Sequence, residues 1–198
     1  MYKLQQMQEF EKQIKSFLGD NVDFRPFLCE GMPFECDVFL VGINPATSTD
    51  FWKYWSVEKG CDKQGWLEEY KENHNGKYNK TRDYVEVFFN ASKPLKVLET
   101  NIYPFASSRE ADLDSKYKKT ELFEYLVNTI KPKLILGHGE TVRKEFSKLY
   151  GIKLKRGEYA TVQNSAWKLD ILTEHHFSYQ WSKDGIGKFA TDIKERYV

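Results

Sequence analysis

The chain predicts an α/β fold, a three-layer α/β/α sandwich with a central, mostly parallel sheet. Two observations predict it. Short apolar runs alternate with segments whose apolar residues recur at helical spacing, and polar clusters close two of those runs far apart in the chain. Strand and helix in alternation imply parallel strands joined by crossover helices, with both faces of the sheet covered. No internal repeat, low-complexity tract or linker interrupts the 198 residues, so one domain over 1–198 is expected, with 1–35 as an N-terminal helix and lead-in loop.

Leu4, Met7, Phe10, Ile14, Phe17 and Leu18 recur at helical spacing over 4–18, and Gly19 stops the pattern. A loop through Arg25-Pro26-Phe27 and Gly31-Met32-Pro33 leads to Asp37-Val38-Phe39-Leu40-Val41. That run of β-branched and large apolar residues fits a buried strand, which Gly42 and Pro45 end. An aromatic-rich stretch over 51–66 and a polar segment over 68–80 follow, with a loop signal at Asn73-His74-Asn75-Gly76. The segment 81–91 reads as a helix with Tyr84, Val87 and Phe88 on one face. Residues 96–102 read as a strand before Pro104, and 121–130 as a helix stopped before Pro132. Residues 133–136 form a buried strand closed by Gly137-His138-Gly139, and 140–149 a helix closed by Gly151. Two strands near 160–163 and 167–173 and a last helix over 186–197 complete the pattern.

Composition, 40% hydrophobic and 30% charged, is that of an ordinary globular chain long enough to bury a sizeable core. No apolar run approaches the length needed to span a bilayer. The start, Met1-Tyr2-Lys3-Leu4-Gln5-Gln6, lacks the apolar core of a secretory signal, so a cytoplasmic protein is expected. Cys29, Cys36 and Cys61 leave an odd thiol under any pairing and lack the close paired spacing of a zinc site. Reduced structural thiols and no bound metal are the expectation. No Walker-type Gly-rich Lys-Ser/Thr loop is present, which argues against phosphoryl transfer. The net charge of +1 says little about nucleic acid, because phosphate binding depends on local Lys and Arg that displace counterions. Basic residues gather at Lys77, Lys80 and Arg82, at Lys116, Lys118 and Lys119, and at Lys148, Lys153, Lys155 and Arg156. They count as a DNA track only if they share a face with the site; otherwise they are solvated surface.

Two polar clusters follow strand-like runs: Gly42-Ile43-Asn44-Pro45, and His175-His176-Phe177-Ser178 after Trp167-Lys168-Leu169-Asp170-Ile171-Leu172. In open α/β sheets ligands bind at the carboxyl ends of strands, so the two can converge on one site. This arrangement resembles the uracil-DNA glycosylase superfamily. Its first motif is a glycine, a spacer, an acidic or amide residue and proline after the first core strand, and the asparagine form here looks like the mismatch-specific and thymine-DNA glycosylase branches. Its second is a histidine, commonly followed by proline and serine, after the last strand; His176 and Ser178 match, with Phe177 in place of proline. Asn101, in Val97-Leu98-Glu99-Thr100-Asn101, matches the asparagine that several branches use to read the base. The resemblance covers roughly 36–198 in outline.

The resemblance implies a monofunctional, metal-free glycosylase, a monomer that removes uracil or a related pyrimidine from DNA without a cofactor. Some branches carry an iron-sulfur cluster on four cysteines, which three cysteines cannot supply. Cleavage leaves an oxocarbenium-like sugar and an anionic base. Asn44 would position the water, although an amide is a poor general base, so slow turnover is expected; its structural alternative is a turn-capping residue before Pro45. His176 would donate to the carbonyl oxygen that gains charge, which a neutral imidazole can do. His138, between glycines at another strand end, competes for a place in the site, whereas His74 is expected in solvent. Asn101 has the donors and acceptor to read the edge of a flipped pyrimidine. Ser178 would contact a phosphate or cap a turn.

Gly42, Ile43, Pro45 and Ala46 complete the expected substrate-binding set with Phe51 or Trp52, either of which could stack on the base or belong to the core. Gln180 and Trp181 fall where the family places the residues that wedge into the duplex, with Lys183 beyond them as a contact to the DNA backbone. Ala46 stands where the uracil-specific branch has a bulky tyrosine that excludes thymine, so the resemblance implies a pocket that either accepts a base with a larger group at its fifth carbon or has lost selectivity. Two rival functions remain at this point. One is a nucleic-acid-binding module of the same fold without catalysis, and the other is a hydrolase of free nucleosides or nucleotides.

Overall fold

Strand residues alternate their side chains between the two faces of a sheet, and here both alternating sets are apolar, so helices must cover both faces. A computed structural model describes residues 4–19, 23–47, 50–163 and 167–198. Residues 1–3, part of the stretch read for a leader, lie outside them.

Helix α1 (Leu4–Leu18) buries Met7, Phe10, Ile14 and Leu18, and Gly19 leaves it at a φ of +59°. Strands β1 (Phe27–Leu28) and β2 (Glu30–Gly31) precede the fully buried β3 (Val38–Gly42). Strands β4 (Trp55–Ser56) and β5 (Gly60–Asp62) lead into α2 (Lys63–Glu72), whose first turn is capped by Asp62 accepting from the Gly65 amide. Helix α3 (Lys80–Ala91) is capped by Asn79, and β6 (Val97–Asn101) follows. The remaining elements are α4 (Glu121–Ile130), β7 (Leu134–His138), α5 (Glu140–Tyr150), β8 (Ala160–Gln163), β9 (Lys168–Glu174) and α6 (Lys183–Tyr197).

The main sheet has six strands in the order β1-β6-β3-β7-β9-β8. β6, β3, β7 and β9 are mutually parallel, and the edge strands β1 and β8 run antiparallel. Val38, Leu40, Val97, Leu134, Leu136 and Leu172 pack with α3 and α6 on one face. Phe39, Val41, Leu98, Ile135 and Ile171 pack with α1, α4 and α5 on the other. The chain is therefore mixed α/β with a mostly parallel central sheet between helical layers. No helix of the described residues is long and apolar enough to cross a membrane.

The structure differs from the sequence reading in four places, the first being that the segment read as a lead-in loop supplies β1, the antiparallel edge of the main sheet. The stretch read as aromatic-rich and polar holds a helix, α2, which buries Lys63, Trp66, Leu67 and Tyr70 amid polar residues. A second, three-stranded antiparallel sheet, β2-β5-β4, is built from strands of two or three residues, too short for any periodicity to register. The last helix begins at Lys183 because Ser182 caps it.

Candidate functional site

The chain leaves β3 to form β6 on one side of it, then crosses to form β7 on the other. The loops after β3 and β7 therefore diverge, and the crevice between them is where open α/β sheets bind ligands. Parallel register pairs Gly42 with Asn101, Val41 with Gly137 and His138 with Glu174, so Asn101, Gly42 and His138 share one row at the carboxyl ends. Alternation turns them, with Glu99 one step below Asn101, to the face covered by α3 and α6. Gly42 has no side chain, so Asn101 and His138 meet above it. A β-carbon there would lie 2.7 Å from Asn101 Oδ1 and 3.6 Å from His138 Nε2.

A cavity of about 310 Å³ opens at this row. The loop Gly42–Thr47 forms one wall, Ser107 to Glu110 another, and Asn101, His138 and His176 reach into it. Asn44 is held by its amide nitrogen, which donates to the Ser107 carbonyl at 2.8 Å and the Pro45 carbonyl at 3.1 Å. Both acceptors fix the orientation of the amide, so Oδ1 is the atom offered to a water. His176 stands at the mouth. The Ser178 backbone N–H donates to its Nδ1 at 3.3 Å, which makes Nδ1 the acceptor, and the Ser178 hydroxyl reaches the same nitrogen at 2.7 Å. The proton then resides on Nε2, which can donate. Partial desolvation at the rim lowers the pKa of His176 and favours this neutral form. His175 is engaged elsewhere, its Nε2 at 3.1 Å from Arg156.

Beneath the row lies a buried ion cluster. Glu99, 6% exposed, accepts from Arg82 Nη1 at 2.5 Å, Arg82 Nη2 at 2.7 Å and Arg25 Nη2 at 2.7 Å. Arg82 also reaches Glu86, which Lys63 neutralises from behind. Both guanidiniums lie over the Trp66 ring, 4.8 Å and 5.3 Å from its centre. Burial by itself would raise the Glu99 carboxyl, but Arg82 and Arg25 overcome it and hold the group well below the usual carboxylate range. Burial lowers Arg25 and Lys63, whereas Arg82 is raised because Glu99 and Glu86 outweigh its desolvation.

His138 is 7% exposed and packs on Phe177, with ring centres 5.0 Å apart and planes 23° apart. Burial, then His176 and Arg82, push its pKa down to about 3 against the opposing pull of Glu99. This fixes the sign of an acid effect. Below the ordinary histidine value of about 6.5, the unfolded chain takes up a proton that the fold refuses, so stability is lost by up to about 1.4 kcal/mol per pH unit toward pH 3. Glu99, also depressed, adds its loss as pH falls below the ordinary carboxylate value of about 4.5. Urea unfolding of the parent and His138→Gln between pH 7 and 4.5 checks this: the variant should lose less stability across that window.

The structure brings together Gly42, Ile43, Asn44, Pro45, Ala46, Asn101 and His176, all expected at the site from sequence. The Ser178 hydroxyl and backbone N–H both meet His176 Nδ1, so Ser178 positions the imidazole at the pocket. Phe51 and Trp52 are not at the pocket. Phe51 is buried against Phe27 and Trp55, and Trp52 packs on Phe51 and Phe24, because an apolar ring gains more from the core than from a polar crevice. Trp181 packs on Phe177 and Phe189 and donates to the His175 carbonyl. Gln180 is exposed at a φ of +61°, and Lys183 pairs with Asp83 at 2.5 Å. His74 stacks on Tyr70 at 4.0 Å instead of standing in solvent. Arg82, read as part of a surface cluster, is buried.

Arg25, Tyr70, Arg82, Glu99 and His138 also line the pocket. Glu99 carried a signal: an acidic residue in a buried strand needs a buried cation. Among the described residues, no group of three or more His, Cys, Asp or Glu side chains could hold a metal ion. The three cysteines are free and buried.

No protein-family model matches the chain, and no curated protein matches it. Fold and site alone define the class: a mixed α/β protein with a polar pocket at the carboxyl ends of its parallel strands, floored by a buried ion cluster.

Proposed function

We propose that this protein is a uracil-DNA-glycosylase-like hydrolase that cleaves the N-glycosidic bond of uracil or a related pyrimidine in DNA. One observation carries the reading. The two side chains matched to the family's motifs, Asn44 and His176, line one cavity with their working atoms already selected by hydrogen bonds. Asn44 Oδ1 holds the attacking water, and His176 Nε2–H stabilises charge on the departing base. Asn101 Nδ2 is buried without a partner among the described residues, as expected of a group that reads a base edge. The buried cluster beneath sets three cations against two carboxylates, a net positive floor suited to an anionic leaving group. Tyr179, 67% exposed in the turn after His176, takes the wedge role in place of the packed Trp181.

The reading is tested with oligonucleotides bearing uracil, a thymine mismatch, hypoxanthine or hydroxymethyluracil, single- and double-stranded, with enzyme in excess. Release of a pyrimidine is expected, and Tyr179→Ala should slow release from duplex only. Cleavage of free uridine or deoxyuridine but not of oligonucleotides would replace this reading with a nucleoside hydrolase. Gly42→Ala is a sharper probe of the pocket. Its methyl group must displace the Asn101 amide, the end of one side chain, so base release should fall severely while the thermal unfolding midpoint barely moves.

A further inference from the structure

His138 has no role in the mechanism above, yet its placement demands one. It is buried at the pocket floor, and its Nδ1 has no hydrogen-bond partner among the described residues. An unpaired buried polar atom costs about 1–3 kcal/mol, and native proteins rarely keep one without a reason. Nor is the ring held merely as packing, because its other nitrogen, Nε2, faces the space above Gly42 where Asn101 Oδ1 also points.

The tautomer follows from the same surroundings. Nδ1 has no acceptor to receive its proton, and an orphaned buried N–H is rarer in proteins than an unfilled lone pair. The proton therefore belongs on Nε2, where the pocket offers solvent or ligand. His176 carries its proton on Nε2 for an independent reason, the Ser178 backbone donor. The two rings lie 4.8 Å apart between centres, tilted by 55°, and both line the cavity. Two neutral imidazoles in that relation can aim two N–H groups at one oxygen lying between them.

We propose that His138 is a second catalytic donor, which with His176 forms a two-imidazole hole for the pyrimidine carbonyl oxygen that gains charge as the glycosidic bond breaks. The proposal rests on the glycosylase reading. Neither histidine gives up its proton: the bond's electron pair leaves with the base, both histidines hold the resulting anion by hydrogen bonds, and the water that adds to the sugar cation releases its proton to solvent or to the departed base anion. Asn101, across Gly42 from His138, is left to the other part of the base edge. A pyrimidine with that carbonyl is then favoured over a base that presents a hydrogen atom or a donor there.

The test uses the full chain and a uracil-bearing single strand, with the single-turnover rate constant and DNA affinity measured separately. His138→Phe keeps the ring against Phe177 and removes the donor; His138→Ala cannot overfill the pocket; His138→Gln restores an N–H. Charge on the oxygen develops only in the transition state, so Phe and Ala should lower the rate constant by about 10²-fold with affinity retained, and Gln should recover part of the loss. Either folded donorless variant decides the matter. A rate equal to the parent's, a loss residing wholly in DNA affinity, or a Gln variant no faster than Phe overturns the proposal and leaves the glycosylase reading intact. A parent that releases no base overturns both.

Discussion

Replacing His176 with alanine is expected to lower the single-turnover rate of base release by about 10²–10³-fold while DNA affinity changes little. The asymmetry follows from what the imidazole does. Its Nδ1 is tied back to Ser178, so one N–H remains, on a ring that lines the cavity. In the proposed reaction that donor meets a carbonyl whose charge is small in the bound substrate and large when the bond is nearly broken. An interaction that strengthens only in the transition state appears in the rate constant and not in binding. Ser178→Ala should lower the rate less, because it removes the hydroxyl contact but keeps the backbone donor that sets the tautomer. A His176→Ala variant with unchanged rate but weakened DNA binding would assign the residue to recognition alone.

The largest effect on stability is expected at Glu99. Removing its carboxylate with Glu99→Ala leaves Arg25 and Arg82 buried side by side, each desolvated and neither neutralised by the residue both now share. Breaking a buried pair in this way costs about 3–5 kcal/mol, which for a chain of this size lowers the unfolding midpoint by roughly 6–20 °C. Glu99→Gln should be nearly as severe, since it keeps the volume and loses the charge. Combining Glu99→Leu with Arg82→Met should cost less than the two single changes added together, because the Glu99 and Arg82 charges are then removed together and only Arg25 loses its partner. Thermal unfolding of the five variants checks the order, and strictly additive losses in the Glu99→Leu/Arg82→Met cycle would show that the ions do not act as one unit.

The sequence reading and the structure agree where chemistry and periodicity point the same way. The helix over 4–18 and the buried strand after it declare themselves through spacing alone, and the residues that end that strand, Gly42 to Pro45, lie at the pocket as expected. What sequence could not supply was strand order. Only the β6-β3-β7 arrangement reveals that Gly42 separates Asn101 from His138, two residues 37 positions apart that meet above it. For the same reason Arg25 and Arg82 looked like loop and surface charges until Glu99 was placed between them. The aromatics misled in the opposite direction. Phe51 and Trp52 follow the first motif closely in the chain, but a short 3₁₀ turn carries them into the core beside Phe27 and Phe24.

The central claim is that Asn44 and His176, which line one cavity, act together on one flipped pyrimidine. It is tested most directly by the yield of abasic sites in a uracil-bearing strand treated with excess parent protein and with the Asn44→Ala/His176→Ala double variant. The account predicts abasic product from the parent, chased to completion, and none above the enzyme-free control from the double variant. Product formed equally by both, or by neither while both remain folded, would contradict it.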